Sequence, residues 1–456
     1  MQEPIKLDLG GNNFRGPAGA WSIYIALTNN DPEAKVYVVG GAVRDHLFNH
    51  YHGKDQLKPK DVDLACNLSE EEILARLRSK YAKGLGIRVQ EKQSVDTFGV
   101  AFVHVEGEGD FEVAPFRRDV GSADGRRPER VERATIYEDA MRRDLTINNL
   151  YWCFHTAKIL DFNHPVPGHE HIKSKTVETV GDPFERFAED KLRILRMVRF
   201  FSRYSDGKMV ESISAQTKAA IEKFADLRSH GISGERITTE FLAGLKQCVR
   251  TDAYLTNLLD LRLLPTVFEG LMVAVGNIGR LGDQRNPHVV MAMLLHLNKG
   301  DRKVADHLTE KLKYPSDVAD QVQFLVNCLN FDPDKIVDLL RVRDRKLLRS
   351  AKRPLTDEEQ TQNSQTKWET LEELVELYKI CPDSSVAVRV LHFCDYKPPF
   401  VNGEDLMRQG FVGPAIGIEQ KRIVRDDYQK SFDTFYDMKR KDRDWAELEK
   451  STRGLD

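Results

Sequence analysis

Hydrophobic and polar positions follow two different rhythms along this chain. Before Pro183, short apolar runs alternate with helical patterns; beyond it the strand signal nearly vanishes. Val36–Val39 reads as a strand that ends at Gly40-Gly41 and is followed by a helical pattern over Ala42–Phe48. A short strand is expected over Asp61–Ala65. A helix follows over Ser69–Lys80, with Ser69 as N-cap and Glu72 completing a capping box. Gly99–Val105 and Phe111–Phe116 read as strands split by a turn at residues 106–110. The polar stretch Arg118–Arg133, with Gly121, Gly125 and Pro128, reads as a mobile loop. Helical periodicity then predicts Ala188–Ser205, Ser214–Asp226, Gly234–Cys248, His288–Leu297 and Asp317–Cys328, with a polar linker at Asp357–Lys367. An α/β head therefore precedes a long helical remainder.

Length sharpens this picture: 456 residues at about 150 per domain suggest about three domains. The strongest apolar run, Val289–Leu297, is nine long, contains His296 and falls far short of the ~18–20 residues a membrane helix needs. The polar N-terminus resembles neither a secretory signal nor a transit peptide. Six scattered cysteines lack any Cys-x-x-Cys pair, so a reducing, cytoplasmic setting without disulfides or a zinc ribbon is expected. A net charge of −3 excludes a wholly basic DNA-coating protein and leaves nucleic acid to local patches.

Chemistry concentrates where the strand signal is strongest. At a period of two, Asp61 and Asp63 project from one face while Val62 and Leu64 enter the core. Two such acids repel unless they share a cation, and Mg²⁺ suits hard oxygen ligands and phosphate. A solvated strand edge is the competing reading. Gly40-Gly41, between strand and helix, can bring bare backbone N–H groups to a phosphate, or simply make a tight turn. Glu112 interrupts an apolar strand and is a candidate third acid, or an ordinary edge glutamate.

Several ordered motifs together carry a resemblance. Gly40-Gly-Ala-Val-Arg-Asp45, Asp61-Val-Asp63, Arg142-Arg-Asp-Leu-Thr-Ile-Asn148, Glu189-Asp-Lys-Leu-Arg193 and Ile232-Ser-Gly-Glu-Arg-Ile237 resemble the class II tRNA nucleotidyltransferase and bacterial poly(A) polymerase family. Asn402-Gly-Glu-Asp-Leu-Met407 and Gly413-Pro-Ala-Ile-Gly417 are similar to its tail signature. The resemblance implies an α+β fold: a nucleotidyltransferase head with a small mixed sheet and helices, then an all-helical neck, body and tail. The expected boundaries are an N-terminal extension at 1–30, head 31–155, neck 156–248, body 249–390 and tail 391–456. Nineteen residues separate Gly41 from Asp61, and Asn49–Leu57 looks like an insertion relative to the family. Some relatives carry a His-Asp phosphohydrolase doublet; here His296 is followed by Leu297-Asn298, and His288 and His296 read as core packing.

The resemblance implies addition of CCA to tRNA 3′ ends from CTP and ATP, with Mg²⁺ held by Asp61 and Asp63 and Glu112 as a third acid. It assigns nucleotide contacts to Gly40, Gly41, Arg44, Arg143, Asp144, Asn148, Asp190, Arg193 and Arg196. Asn148 is expected one helical turn after Asp144, facing the same ligand. On the helix expected at 186–203, Glu189, Arg193, Arg196, Arg199 and Arg203 share one side, the pattern of an ordinary salt-bridged surface helix or, as the resemblance implies, of a template for the incoming base. Asp190 and Arg193 would offer an acceptor and a donor, a pattern that pairs with cytosine and adenine but not uracil or guanine. Arg341–Arg353, with seven basic residues and one acidic, is the candidate RNA surface, centred on Arg345, Lys346 and Arg349. A poly(A) polymerase, a CC- or A-adding specialist, and a non-catalytic RNA scaffold are the alternatives. In the family the loop at Asp119–Arg133 is linked to A addition, which favours complete CCA. Neither a membrane nor DNA is an expected partner.

Overall fold

The computed structural model describes residues 3–330 apart from 11–13, 15, 54–56, 58–61, 91–98, 121–129, 164, 299 and 301. Further on it describes residues 373, 376–377, 380, 403–416, 418–420, 422–423, 426–427, 430 and 434. The chain divides into two compact units, Met1–Val267 and Phe268–Asp456.

In the first unit the strands are β1 (Ile5–Leu7), β2 (Val36–Val39), β3 (Val62–Cys66), β4 (Ile87–Val89), β5 (Ala101–Val105), β6 (Gly109–Pro115), β7 (Arg117–Val120), β8 (Arg130–Arg133), β9 (Leu150–Cys153) and β10 (Ile159–Asp161). Eight of them form one sheet in the order β1-β10-β9-β2-β3-β6-β5-β4. All its pairings are antiparallel except β3 with β6, so the sheet is mixed. A parallel neighbour requires a crossover, and residues 67–108 supply it. Strand β2, Val-Tyr-Val-Val, is buried at every position and so reads as a continuous apolar run rather than an alternating one. Tyr37, Val39, Ala65, Phe116, Ala140, Tyr151 and Phe162 make a buried cluster on this sheet. The segment read as an N-terminal extension contributes β1 and the helix α1 (Ala18–Thr28), which packs against β2.

Helices follow as α2 (Gly41–His52), α3 (Glu70–Leu77), α4 (Lys80–Gly84), α5 (Ile136–Met141), α6 (Gly168–Ser174), α7 (Pro183–Glu189), α8 (Leu192–Tyr204), α9 (Met209–Ser212), α10 (Ala215–Phe224) and α11 (Gly234–Gln247). The capping box on α3 forms: Ser69 Oγ accepts from the Glu72 amide, and Glu72 accepts from the Ser69 amide at 2.7 Å.

The sequence expectations need four corrections here. The helix expected to run to Lys80 ends at Leu77, because Ser79 caps a second helix by accepting from the Ala82 amide at 3.1 Å. The polar stretch read as a loop has paired ends: β7 and β8 form a two-stranded antiparallel ribbon, while residues 121–129 lie outside the described residues. The helix expected over Ala188–Ser205 is two helices. Asp190 is extended (φ −149°, ψ 104°), and its side chain accepts from the Leu192 amide at 3.1 Å, which starts α8 afresh. Finally, Asn148 lies on a 3₁₀ turn, Thr146–Asn148, that runs into β9.

In the second unit, helices span Pro287–Leu295, Lys303–Glu310 and Ser316–Asn330, and a short one spans Gly403–Arg408. His288 packs within this unit through a polar contact, its Nδ1 lying 2.6 Å from Glu373 Oε1. Among the described residues no helix is long and apolar enough to cross a membrane, and Cys66, Cys153, Cys248 and Cys328 are free thiols. The linker at Asp357–Lys367 and the basic segment with Arg345, Lys346 and Arg349 lie outside the described residues.

Candidate active site

Register brings the first two acids together. Asp63 on β3 pairs with Val39 on one side and with Glu112 on the parallel neighbour β6. Directly opposed residues project to the same face, so Asp63 and Glu112 stand side by side, Glu112 exposed and Asp63 partly so. Asp61, expected on that face by the period of two, lies outside the described residues. No group of three or more His, Cys, Asp or Glu residues is gathered as a metal cluster among the described residues. The donors that are present are carboxylate oxygens, the chemistry a hard divalent cation takes.

Gly40 makes the turn from β2 into α2 at φ 68° and ψ −126°, a region only glycine enters cheaply. A side chain here would begin 3.7 Å from Asp63 Oδ2 and 3.8 Å from Arg143 Nη1. Bare backbone, a carboxylate and a guanidinium therefore converge at the N-terminus of α2, where the helix dipole favours anions. No side chain caps this end of α2.

Arg143 is anchored behind by residues that the sequence alone does not group. Asp139, 1% exposed, accepts from Tyr151 Oη at 2.6 Å, Arg142 Nη2 at 2.8 Å and Arg143 Nη2 at 3.2 Å. Tyr151 Oη in turn accepts from Arg143 Nε at 2.8 Å. Burial opposes the Asp139 charge, yet the Arg143 and Arg142 guanidiniums overcome it and hold the carboxyl below its usual range. Burial pushes the Tyr151 phenol up, so it stays protonated and donating.

Asp144, Asn148 and Arg44 form the next layer. Asn148 Nδ2 donates to Asp144 Oδ1 at 3.0 Å, and Asn148 Oδ1 accepts from Arg44 Nη1 at 2.6 Å. Asp144 Oδ2 accepts from Arg196 Nε at 2.9 Å, joining the 3₁₀ turn to α8. Burial would raise the Asp144 pKa; the Arg196 charge and the Asn148 amide win and hold it well below the carboxylate range. Asn148 does face Asp144, through the 3₁₀ turn in place of the expected α-helical one.

The predicted base-reading pair stands at the junction of α7 and α8. Asp190 Oδ2 accepts from Arg236 Nη2 at 2.7 Å, and Arg193 Nη1 donates to Glu189 Oε2 at 2.5 Å and to the Arg186 carbonyl at 3.0 Å. Asp190 and Arg193 thus each have a partner other than one another. Sequence reasoning missed Asp139, Tyr151 and Glu240, the last of which accepts from Arg196 at 3.4 Å and Arg199 at 2.8 Å. Arg236 did leave a signal, since it falls in the Ser233-Gly-Glu-Arg236 motif.

Residues 36–178 match the family model of the poly A polymerase head domain. All strands of the sheet except β1 fall inside that match, as do Gly40, Asp63, Glu112, Arg143 and Asn148, so this region is similar to a poly A polymerase head domain. More particularly, it is similar to CCA-adding enzymes. The Anoxybacillus flavithermus CCA-adding enzyme is 34% identical over 223 residues, 49% of this chain and 48% of the relative. That of Bacillus licheniformis is 37% identical over 213 residues, 46% of each chain. The chain thus spans about half the length of these curated relatives. Its fold extends the likeness further. The Bacillus stearothermophilus CCA-adding enzyme in complex with CTP aligns over 94% of this chain and 100% of that one, with a TM-score of 0.58 at 20% identity. The Thermotoga maritima CCA-adding enzyme complexed with tRNA aligns over 96% and 100%, with a TM-score of 0.60 at 16% identity. The α+β class, with a mixed-sheet head before helices, is the fold of these enzymes.

Proposed function

We propose that this protein is a template-independent nucleotidyltransferase that adds CCA to tRNA 3′ ends from CTP and ATP in the cytoplasm, releasing pyrophosphate. The observation that carries the proposal is the pairing of Asp63 with Glu112 beside Gly40 and Arg143. It joins acids for a metal to a backbone cradle and a guanidinium for phosphates. The curated relatives, named CCA-adding enzymes, support the choice of reaction.

In this reading the N-terminal backbone of α2 and the Arg143 fork grip the triphosphate. Asp144 and Asn148 offer an acceptor and an amide to the ribose hydroxyls, with Arg44 and Arg196 fixing their orientation. Asp190 and Arg193 exchange their present partners, Arg236 and Glu189, for the edge of cytosine or adenine. Mg²⁺ held by Asp61 and Asp63, with Glu112 as a third ligand, supplies neutralisation of charge on the transferring phosphate. Residues 31–155 serve as head, 156–248 as neck, 249–390 as body and 391–456 as tail, with Arg345, Lys346 and Arg349 on the RNA.

The test is incubation with tRNA lacking its 3′ end, Mg²⁺ and each labelled NTP singly and in pairs. Arrest after three nucleotides, C, C and A, is expected. A long A ladder on unstructured RNA would instead identify a poly(A) polymerase, and no incorporation would leave an RNA-binding scaffold. Neutralising Arg345, Lys346 and Arg349 together should flatten the salt dependence of tRNA binding by about 2–3 units of log–log slope.

A further inference from the structure

Phe200 is an apolar residue of α8 that no motif singles out, and it is 5% exposed. Three guanidiniums nonetheless crowd its ring. The Cζ of Arg199 lies 4.3 Å from the ring centroid, that of Arg44 4.6 Å and that of Arg196 5.8 Å. Two of these cations then reach the polar groups of the site from different elements. Arg44, on α2, donates to Asn148; Arg196, on α8, donates to Asp144; and Asn148 donates to Asp144. The contacts close a cycle: ring, Arg44, Asn148, Asp144, Arg196, ring.

Three like charges around one buried position repel. The carboxylates of Asp45, Asp144 and Glu240 offset part of this, each from one side. The negative face of an aromatic ring is a further offset: Arg44 also lies 6.0 Å from the Tyr204 ring centroid, but the Phe200 ring lies against all three cations, at the centre of the cluster. Burial, opposed by Glu240, lowers the Arg199 pKa, and the neighbouring Arg196 and Arg44 charges lower it further, as crowding requires.

We propose that Phe200 is a positioning residue for nucleotide binding: its ring holds Arg44 and Arg196 together so that Asn148 and Asp144 present one aligned acceptor–donor pair to the ribose. The proposal rests on the reading of Asn148 and Asp144 as nucleotide contacts. It assigns to α8 a second task besides carrying Arg193, because the same helix that reads the base also sets the ribose grip in the head.

A leucine or methionine fills much of the same volume without the ring's charge distribution. Phe200→Leu should therefore raise KM for CTP and ATP alike, by about 2- to 30-fold, the range of one to a few lost cation–π contacts. The CTP-over-UTP ratio should stay put, since Asp190 and Arg193 are untouched. Because Phe200→Leu also alters packing, the deciding series replaces Phe200 with progressively fluorinated phenylalanines in the full chain. These keep shape while draining the ring face. KM rising stepwise with fluorination, in a chain that stays folded with at most a small drop in melting temperature and with little changed kcat, is the expected result. A flat KM across the series, in a wild type that does add nucleotides, overturns the inference and leaves Phe200 as core packing. A wild type that neither binds nor incorporates any NTP overturns the functional reading, and this inference with it.

Discussion

The candidate site is built from two regions of opposite design. On the strand side, Asp63 and Glu112 are carried by neighbouring strands and reach the surface, with the bare Gly40 turn beside them. On the helix side, Arg44, Arg196, Arg199 and Arg203 are paired with Asp45, Asp144, Glu240 and Asp45 in the absence of any ligand. Arg44 is 5% exposed and Arg199 9%. The strand side thus sets two carboxylates beside a bare backbone turn at the surface. The helix side is a preorganised network in which each charge is already matched, as burial demands. Chemistry and recognition are therefore separable: one should fail without the other.

The sharpest break is at Asp63. Asp63→Ala removes a carboxylate from a partly exposed strand face, so folding is largely spared. A metal's charge stabilisation is worth several kcal/mol, so nucleotide addition should fall by on the order of 10³-fold or more. Helical circular dichroism should be unchanged. Near-normal turnover in this variant would dismiss the metal assignment.

The helix side depends on a scaffold that can be broken from behind. A side chain at Gly168, the first residue of α6, would begin 2.2 Å from the Thr146 carbonyl oxygen and 2.8 Å from Asn163 Nδ2. Thr146 opens the turn that bears Asn148, and its carbonyl accepts from Asn163, which is held by the buried Asp161. Gly168→Ala should cost about 2–3 kcal/mol of stability through overpacking. It should also raise the KM for NTPs, and thermal melts with steady-state kinetics would check both. A variant with a normal melt and a normal KM would mean that the turn relaxes freely.

These two sides also differ in how far the sequence announces them. Asp61-Val-Asp63 and the Gly40 turn are local: a period of two and a strand-to-helix switch reveal them. The parallel pairing that brings Glu112 beside Asp63 is not local, because the crossover between them spans some forty residues of chain; the sequence offered Glu112 as a candidate third acid but not its register with Asp63. The helix side was legible in composition but not in geometry. Apolar and charged positions keep a helical period straight through Asp190, so nothing in the pattern marks the break, which a single Asp190-to-Leu192 capping bond decides. Asp139 and Tyr151, twelve positions apart, meet because residues of α5 and β9 share one buried cluster. The ribbon of β7 and β8 was hidden by its own polarity, since β7 is Arg-Arg-Asp-Val and β8 Arg-Val-Glu-Arg, with a single apolar residue each.

Base choice tests the junction of α7 and α8. Asp190→Ala or Arg193→Ala leaves Asp63, Glu112 and the Arg143 anchor in place, so incorporation should continue. Discrimination of CTP over UTP, and of ATP over GTP, should drop by about one to two decades of kcat/KM, the worth of a lost bidentate-quality pairing. Ratios that hold while stability falls would return Glu189, Arg193, Asp190 and Arg236 to the status of ordinary ion pairs.

The smallest expected effect is in acid, and it separates the two sides without any substrate. Asp144 is held below its ordinary pKa of 3.8 in the fold, since the Arg196 charge and the Asn148 amide outweigh burial. A group depressed in this way binds its proton more readily in the unfolded chain. Its contribution is fully present above the unfolded value near 4 and is lost as pH falls from there towards the lower folded value. While only the unfolded chain binds that proton, the slope is up to about 1.4 kcal/mol per pH unit. Asp144→Asn deletes the titration but keeps an acceptor oxygen for Arg196. The variant should be less stable at neutral pH, where Arg196 loses a charged partner. Its melting temperature should then decline less steeply than wild type between pH 5 and 3. Asp139 and Asp161 are also depressed, and they remain in both proteins, so the difference between the two slopes isolates Asp144. Parallel slopes would mean that Asp144 titrates alike in the folded and unfolded chain. The Asp144–Arg196 contact would then be a weak surface pair, and the helix side would lose its claim to be preorganised.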